Sequence, residues 1–526
     1  MFLDFKTIKH DAVIQSDLCI IGAGAAGITI ARELIGKSHR VCLVESGGLE
    51  YEPMTQSLAD GESIGLPYYP LDQSRLRFFG GTTNHWAGQC APLSELDFQY
   101  REWVPYSGWP ISRADLDPFY RRALPICELG PYVFDRRAWD TFEIEPPPFN
   151  PAKIQSHFWQ NSRGPTRFGQ VYREELQNSE KITVLLNANV TNIQTDQSGE
   201  NVTHLDVAAL NGKRGRIRAR FFVLACGGME NPRLLLISNT VHPNGLGNSH
   251  DLVGRFFMDH ASAMCGMVLA ADVDSLLETY KYRHFEGTRF RPGMAIGKEE
   301  QIKSEVLNAC ATFTEEEHFS DGVHAGRQIS DGLRNMKIPD NLTENILTIL
   351  KDLHHVSKYL KCRLQGEEKC ATVLLHLETR IEQAPNPNSR ITLSPEKDAL
   401  GLNRLRLDWQ RGELEKKTLK AMGIALGREF GRLNLGRVQL PQWLEQDGES
   451  EWMGGSYHHM GTTRMAENPK MGVVNEHCRM HGVNNLYLAG SSVFPTSGFV
   501  NPTFTIIALA LRLADHLQLR MEEENF

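Results

Sequence analysis

The sequence predicts an α/β protein of two domains, a βαβ nucleotide-binding domain and a second domain inserted into it. Three observations predict this. A short apolar run, residues 17–21, leads directly into the turn Gly22-Ala23-Gly24-Ala25-Ala26-Gly27. A helical run and a second apolar run ending on Glu45 follow, which is the βαβ order. The chain has 526 residues, too many for one simple core.

The elements follow in order. Residues 17–21 read as the first strand, 28–34 as a helix with apolar spacing, and 40–44 as the second strand. Residues 47–110 are rich in Gly, Pro, Tyr and Trp without a clear period, and read as long functional loops. Residues 116–129 read as a helix, 183–186 and 202–210 as strands, and 221–225 as a buried strand broken by Gly227-Gly228. From 261 to 446 the texture changes. Strand-like runs at 372–377, 389–393 and 404–408 alternate with helical runs at 342–359 and 414–433, and no nucleotide signature appears. This block is assigned to a substrate domain. Residues 485–490 read as a buried strand and 503–517 as an apolar helix. No internal repeat or low-complexity segment is present.

Composition excludes some functions. A net charge of −8 gives no electrostatic reason to expect a nucleic-acid partner. Residues 1–17 are mixed and polar, without a secretory h-region, and the apolar stretch 504–511 is too short to span a bilayer. The ten cysteines form no CxxC pair, and several, such as Cys19 and Cys226, lie in apolar runs. They read as reduced core residues, so a cytoplasmic protein is expected.

The glycine turn has a physical logic. Gly22 permits the tight turn, Gly24 lets backbone approach a pyrophosphate, and Gly27 lets the helix pack on the strand. The helix N-terminus adds its positive dipole end. Glu45 ends the second strand, where a carboxylate can accept from both ribose hydroxyls and disfavours a 2′-phosphate, so NADP is not expected. The turn alone does not choose between FAD and NAD.

Four separated segments carry a family resemblance. They are residues 17–48; Phe79-Gly80-Gly81-Thr82-Thr83-Asn84-His85-Trp86; Leu252-Val253-Gly254-Arg255-Phe256-Phe257-Met258-Asp259-His260; and 457–517, which holds His458-His459-Met460-Gly461-Thr462, Ser492-Val493-Phe494-Pro495-Thr496 and Asn501-Pro502-Thr503. The chain resembles the glucose–methanol–choline (GMC) flavoprotein oxidoreductases. The Asn84-His85-Trp86 loop and the Phe499-to-Thr503 end look nearest to pyranose oxidase and to sugar- or gluconate-type dehydrogenases.

The resemblance implies a Rossmann-like FAD-binding domain and a substrate domain built on an antiparallel sheet flanked by helices. The expected division is 1–260 and 447–526 for the first and 261–446 for the second, with loops 47–165 contributing to both sites. FAD contacts are expected from Gly22, Gly24, Ala25, Ala26, Gly27, Glu45, Ser46, Gly80, Gly81, Thr82, Asn84, His85, Trp86, Val190, Gly490, Ser491, Asn501, Pro502 and Thr503. Gly490 departs from the family, which often places Asp there; backbone amides and Ser491 would replace it. His85 stands near the offset at which some members bind FAD covalently.

Removing a hydride and a proton from a CH–OH group needs a flavin for the first and a base near neutrality for the second. The resemblance makes His458 the expected base, with His459 as its competitor, and Asn501 the amide that holds the substrate oxygen. Asn501 also suits a helix N-cap before Pro502. The expected reaction is oxidation of an alcohol, sugar or glycoside-like, to a carbonyl. Oxygen, a quinone or a redox protein would then accept the electrons. The alternatives are a lyase-like flavoprotein and the flavin subunit of an electron-transfer assembly. No metal site is expected. Trp86, Trp103, Trp109 and Trp452 read chiefly as core or loop anchors, and residues 341–364 as a packed amphipathic face.

Overall fold

The computed structural model describes residues 1–334, 337, 341–365, 372–446 and 453–523. The first expected strand, Leu18–Ile21, lies inside a six-stranded sheet whose neighbours are all parallel. The spatial order is Phe2–Asp4, Ile182–Leu186, Val41–Val44, Leu18–Ile21, Phe221–Leu224 and Leu486–Leu488. A parallel sheet is covered on both faces, so its strands read as continuous apolar runs. Leu18, Cys19 and Ile20 are accordingly fully buried. The last strand comes from the end of the chain, so the nucleotide-binding fold closes only after the intervening residues return.

A seven-stranded antiparallel sheet forms the second layer system. It joins Arg283–Phe285, Thr288–Ile296, Ala309–His318, Thr372–Ile381, Ala261–Ala270 and Gly436–Gln439, with Ile154–Asn161 paired to Thr288–Ile296. One face packs under helix Glu413–Arg432 through Leu419, Met422, Leu426 and Phe430, beside Ala263, Cys265 and Leu377. The opposite face carries Ser262, Glu378 and Arg380. Alternation along the strands thus separates an apolar core from a polar floor. One strand of this sheet, Ile154–Asn161, comes from ahead of residue 261. The runs at 389–393 and 404–408 leave the large sheet. They form Arg390–Lys397 and Asn403–Asp408, which pair with Gly61–Ser63 as a separate three-stranded sheet.

Loop 47–110 is ordered by short elements and by one buried ion pair. Arg101 donates to both oxygens of Glu382, at 2.7 and 2.6 Å, with both side chains fully buried. The amphipathic run 341–364 folds as helices Leu342–Lys351 and Leu353–Leu364, but its apolar face is not packed away. Leu347, Leu350, Leu353 and Leu360 are each more than half exposed. Cysteines 19, 42, 90, 127, 226, 265, 310 and 478 are free, and all but Cys226 are buried. Cys362 is disulfide-bonded, which corrects the expectation of uniformly reduced core thiols. Among the described residues no helix is long and apolar enough to cross a membrane.

Candidate active site

A cavity of about 940 Å³ runs from the glycine turn to the floor of the antiparallel sheet. All the residues expected to contact FAD line it except Gly27, Gly80 and Asn84. Those three lie behind its wall for steric reasons. A Cβ on Gly27 would fall 1.9 Å from the Gly22 carbonyl oxygen, so Gly27 serves helix–strand packing. Gly80 turns the loop at φ +98°, against Gly169. The Asn84 amide is spent on the Phe79 carbonyl, at 3.0 Å.

The turn fits a dinucleotide. Gly22 has φ +103°, and a Cβ there would meet the Ala225 carbonyl oxygen at 2.6 Å. At Gly24 nothing lies within 4 Å, so backbone there borders open cavity. Helix Ala25–Glu33 begins with no side-chain cap, leaving its first N–H groups for an anion. Glu45 is buried and already organised. Its Oε1 accepts from Ser46 Oγ and Gly47 N, and its Oε2 from Ala23 N at 3.1 Å. Oε2 is therefore the freer acceptor for a ribose hydroxyl. Burial raises the Glu45 carboxyl, and the backbone donors Gly47 and Ala23 pull it back down. Arg75 and Arg77 also line this end, both paired with Glu230. Sequence reading missed them because no spacing marks them.

At the other end the structure brings His458 and Asn501 together across 43 residues, with His458 Nε2 3.3 Å from Asn501 Nδ2. Arg380 Nη1 donates to Asn501 Oδ1 at 2.7 Å. The guanidinium accepts nothing, so it turns the amide's NH2 side toward His458. The Asp259 carboxylate positions His458. It accepts from the backbone N of Ser456, Tyr457, His458 and His260 and from Tyr68 Oη, at 2.7–3.1 Å. His260 Nδ1 lies 2.9 Å from His458 Nδ1. Burial, with His260 and Arg380 nearby, holds His458 well below its ordinary value, so the ring is neutral near pH 7.

His459 also borders the cavity, but its ring sits beside Tyr68 and Phe257 and its Nε2 has no hydrogen-bond partner among the described residues. Burial pushes it down to about 3. His85 borders the cavity as well, lowered by burial and by Arg167. Trp86 donates to Thr166 O, Trp103 to Val306 O and Trp109 to Thr496 Oγ1, so each anchors a loop. Trp452 lies outside the described residues. No group of His, Cys, Asp and Glu able to hold a metal occurs among the described residues. Asp259, His260, Tyr68 and Arg380 are the site residues that sequence reading left without roles. Only the first two lay in a segment it singled out.

A nucleotide cradle and a neutral histidine–amide pair opening on one cavity define a dinucleotide-dependent oxidoreductase. Comparison with known proteins narrows the class. Residues 385–510 match the family model for GMC oxidoreductase, and residues 17–244 that for FAD dependent oxidoreductase. The chain is 26% identical to 2-methyl-1,2-propanediol dehydrogenase of Mycolicibacterium austroafricanum, over 97% of this chain and 96% of that one. It is 24% identical to the fructose dehydrogenase large subunit of Gluconobacter japonicus, over 95% and 97%. Its fold is similar to a formate oxidase structure, with TM-score 0.56 and 16% identity over 98% of this chain and all of that one. It is also similar to pyridoxine 4-oxidase from Mesorbium loti, with TM-score 0.53 and 16% identity over 96% and 99%. The C-terminal part of the chain, residues 385–510, is that of a GMC oxidoreductase, and the N-terminal part, residues 17–244, that of an FAD dependent oxidoreductase. The chain is an FAD-dependent enzyme that oxidises CH–OH groups.

Proposed function

We propose that the substrate is a small polyhydroxylated alcohol, a sugar or glycoside-like, oxidised at one CH–OH group with His458 as base and Asn501 as the donor to its oxygen. The observation that carries this reading is the 3.3 Å approach of Asn501 Nδ2 to His458 Nε2 at the cavity wall. A neutral ring can take the hydroxyl proton, and an amide held by Arg380 can donate to the oxygen as charge develops. When bound, FAD supplies the hydride acceptor, which no protein side chain provides. Gly22, Gly24, Ala25, Glu45, Ser46 and Ser491 would hold its nucleotide half, and His85, Thr82, Asn501 and Thr503 its ring half.

The floor beside the pair is polar, with Ser262, Glu378, Arg380 and Ser456, which supports a substrate carrying several hydroxyls. The named activities of the fructose and propanediol relatives support the same class. We assign residues 1–260 and 447–526 to FAD binding and 261–446 chiefly to substrate. The electron acceptor is oxygen, a quinone or a redox protein, and His85 meets the flavin either through a covalent link or as a ring packed against it.

Purified yellow protein, screened anaerobically for loss of flavin absorbance, tests the substrate class. Sugars, glycosides and vicinal diols are expected to bleach it faster than simple monohydric alcohols. Bleaching by monohydric alcohols alone would contradict the assignment. Acid precipitation tests His85, since a linked flavin leaves its colour in the pellet and an unlinked one in the supernatant.

A further inference from the structure

Asp259 and His260 end a segment that the sequence resemblance singles out, and the reaction proposed above gives His260 no role. Its ring is fully buried and its two nitrogens face different partners. Nε2 faces the Ser497 carbonyl oxygen at 3.3 Å, and Nδ1 meets His458 Nδ1 at 2.9 Å. A carbonyl oxygen can only accept, so Nε2 of the neutral ring carries the hydrogen and Nδ1 is a bare lone pair. Two ring nitrogens at 2.9 Å form a hydrogen bond only when one of them carries hydrogen and the other does not. That hydrogen therefore sits on His458 Nδ1, and the lone pair of neutral His458 sits on Nε2.

The far end of the chain of contacts gives the same polarity. Arg380 donates to Asn501 Oδ1 at 2.7 Å, so the Asn501 NH2 faces His458 Nε2, which must accept. Burial keeps both rings neutral, His260 being pushed down to about 3 and His458 well below its ordinary value.

We infer that His260 is a positioning residue that locks His458 in the Nδ1–H tautomer and leaves Nε2 bare to take the proton of the substrate hydroxyl. His458 borders the cavity and His260 does not, so His260 acts through its neighbour. The inference rests on His458 being the base. The substrate O–H bond breaks, its proton goes to Nε2, and the electron pair left on oxygen would form the carbonyl as the carbon loses its hydride, for which bound FAD would supply the acceptor. The His458 Nδ1–H stays in its bond to His260, which steadies the imidazolium. With the opposite tautomer Nε2 would already carry hydrogen and could take no proton.

Holoenzyme labelled with ¹⁵N-histidine tests the lock without any substrate. The difference between the solid-state spectra of wild type and His458→Gln isolates the His458 nitrogens. The expected result is a protonated Nδ1 and a bare Nε2. A bare Nδ1 in the wild type overturns the inference. His260→Phe keeps a ring and removes the acceptor, and should lower kcat by about tenfold or more with KM unchanged, on the fastest alcohol of the screen. His260→Gln places an oxygen that can accept from Nδ1, and should recover most of that loss. A Phe variant within twofold of wild type, or Phe and Gln variants equally slow, overturns the positioning role. If the Phe variant does not fold, the wild-type spectrum and the Gln variant still decide. A correct tautomer combined with a fully active His458→Ala variant sinks the base assignment and leaves the lock standing.

Discussion

Asp259→Asn should loosen the loop that carries His458, and the structure sets the size of the effect. Five donors converge on this buried carboxylate: His260 N and His458 N on Oδ1, and Tyr68 Oη, Ser456 N and Tyr457 N on Oδ2. An asparagine keeps one acceptor oxygen and turns an NH2 toward the other set. The smaller set is two backbone N–H groups. Each buried donor left unpaired costs about 1–3 kcal/mol, so the variant should lose about 2–6 kcal/mol. Gly455 packs closely on the same carboxylate, where a Cβ would lie 2.8 Å from Oδ2, so the loop has little room to adjust. If the lower figure falls on the 456–458 segment alone, the competent loop population drops about thirtyfold. Anaerobic stopped-flow reduction and thermal unfolding of the same FAD-loaded sample read both effects. A variant that melts and reduces as the wild type does would refute the reasoning.

Other perturbations have signs fixed by the same kind of argument. Arg101→Met leaves Glu382 buried and uncompensated, so denaturant unfolding should show a loss of about 3–5 kcal/mol, and a loss below 1 would contradict the burial argument. Gly22→Ala forces a side chain at φ +103° into the Ala225 carbonyl, so the purified variant should lack flavin absorbance; normal FAD content would contradict it. Burial lowers His157, His260 and His459 to about 3, and also lowers His458, from an ordinary 6.5. These rings bind protons in the unfolded chain but not in the folded one, so their contribution is present above pH 6.5 and is lost as pH falls, by up to about 1.4 kcal/mol per pH unit each. Asp97, raised to about 6, Glu415, raised to about 7, and Glu45 and Asp259, raised by burial, work in the opposite sense, but His85, His204, His477 and His516 are lowered as well, so the histidines outnumber them. The melting temperature should therefore fall between pH 7 and pH 5, and an unchanged value would contradict the balance.

The nucleotide half was legible because its signals are local. Strand, turn and helix are contiguous, and Glu45 ends the neighbouring strand. The resemblance also pointed to His458 and Asn501, although only the fold joins them. The partners that define their chemistry were not legible. Arg380 lies 121 residues from Asn501 and His260 lies 198 from His458, and each meets its partner through a strand or loop whose own pattern says nothing about that pairing. The amphipathic run 341–364 teaches a related limit. Periodicity makes the run helical, but the packed face it suggested is exposed at Leu347, Leu350 and Leu353, because spacing cannot say what covers an apolar stripe. Strand Ile154–Asn161 joins the second sheet for the same reason: pairing partners are set by tertiary registry, not by local propensity.

The central claim is that His458 takes the proton in an FAD-dependent CH–OH oxidation. Anaerobic stopped-flow reduction of wild type and His458→Ala by the fastest alcohol of the screen tests it most directly, with FAD content matched between samples. Wild type should bleach rapidly, and the variant should bleach on the order of 10²-fold or more slower with its flavin retained. Equal rates in the two proteins would contradict it.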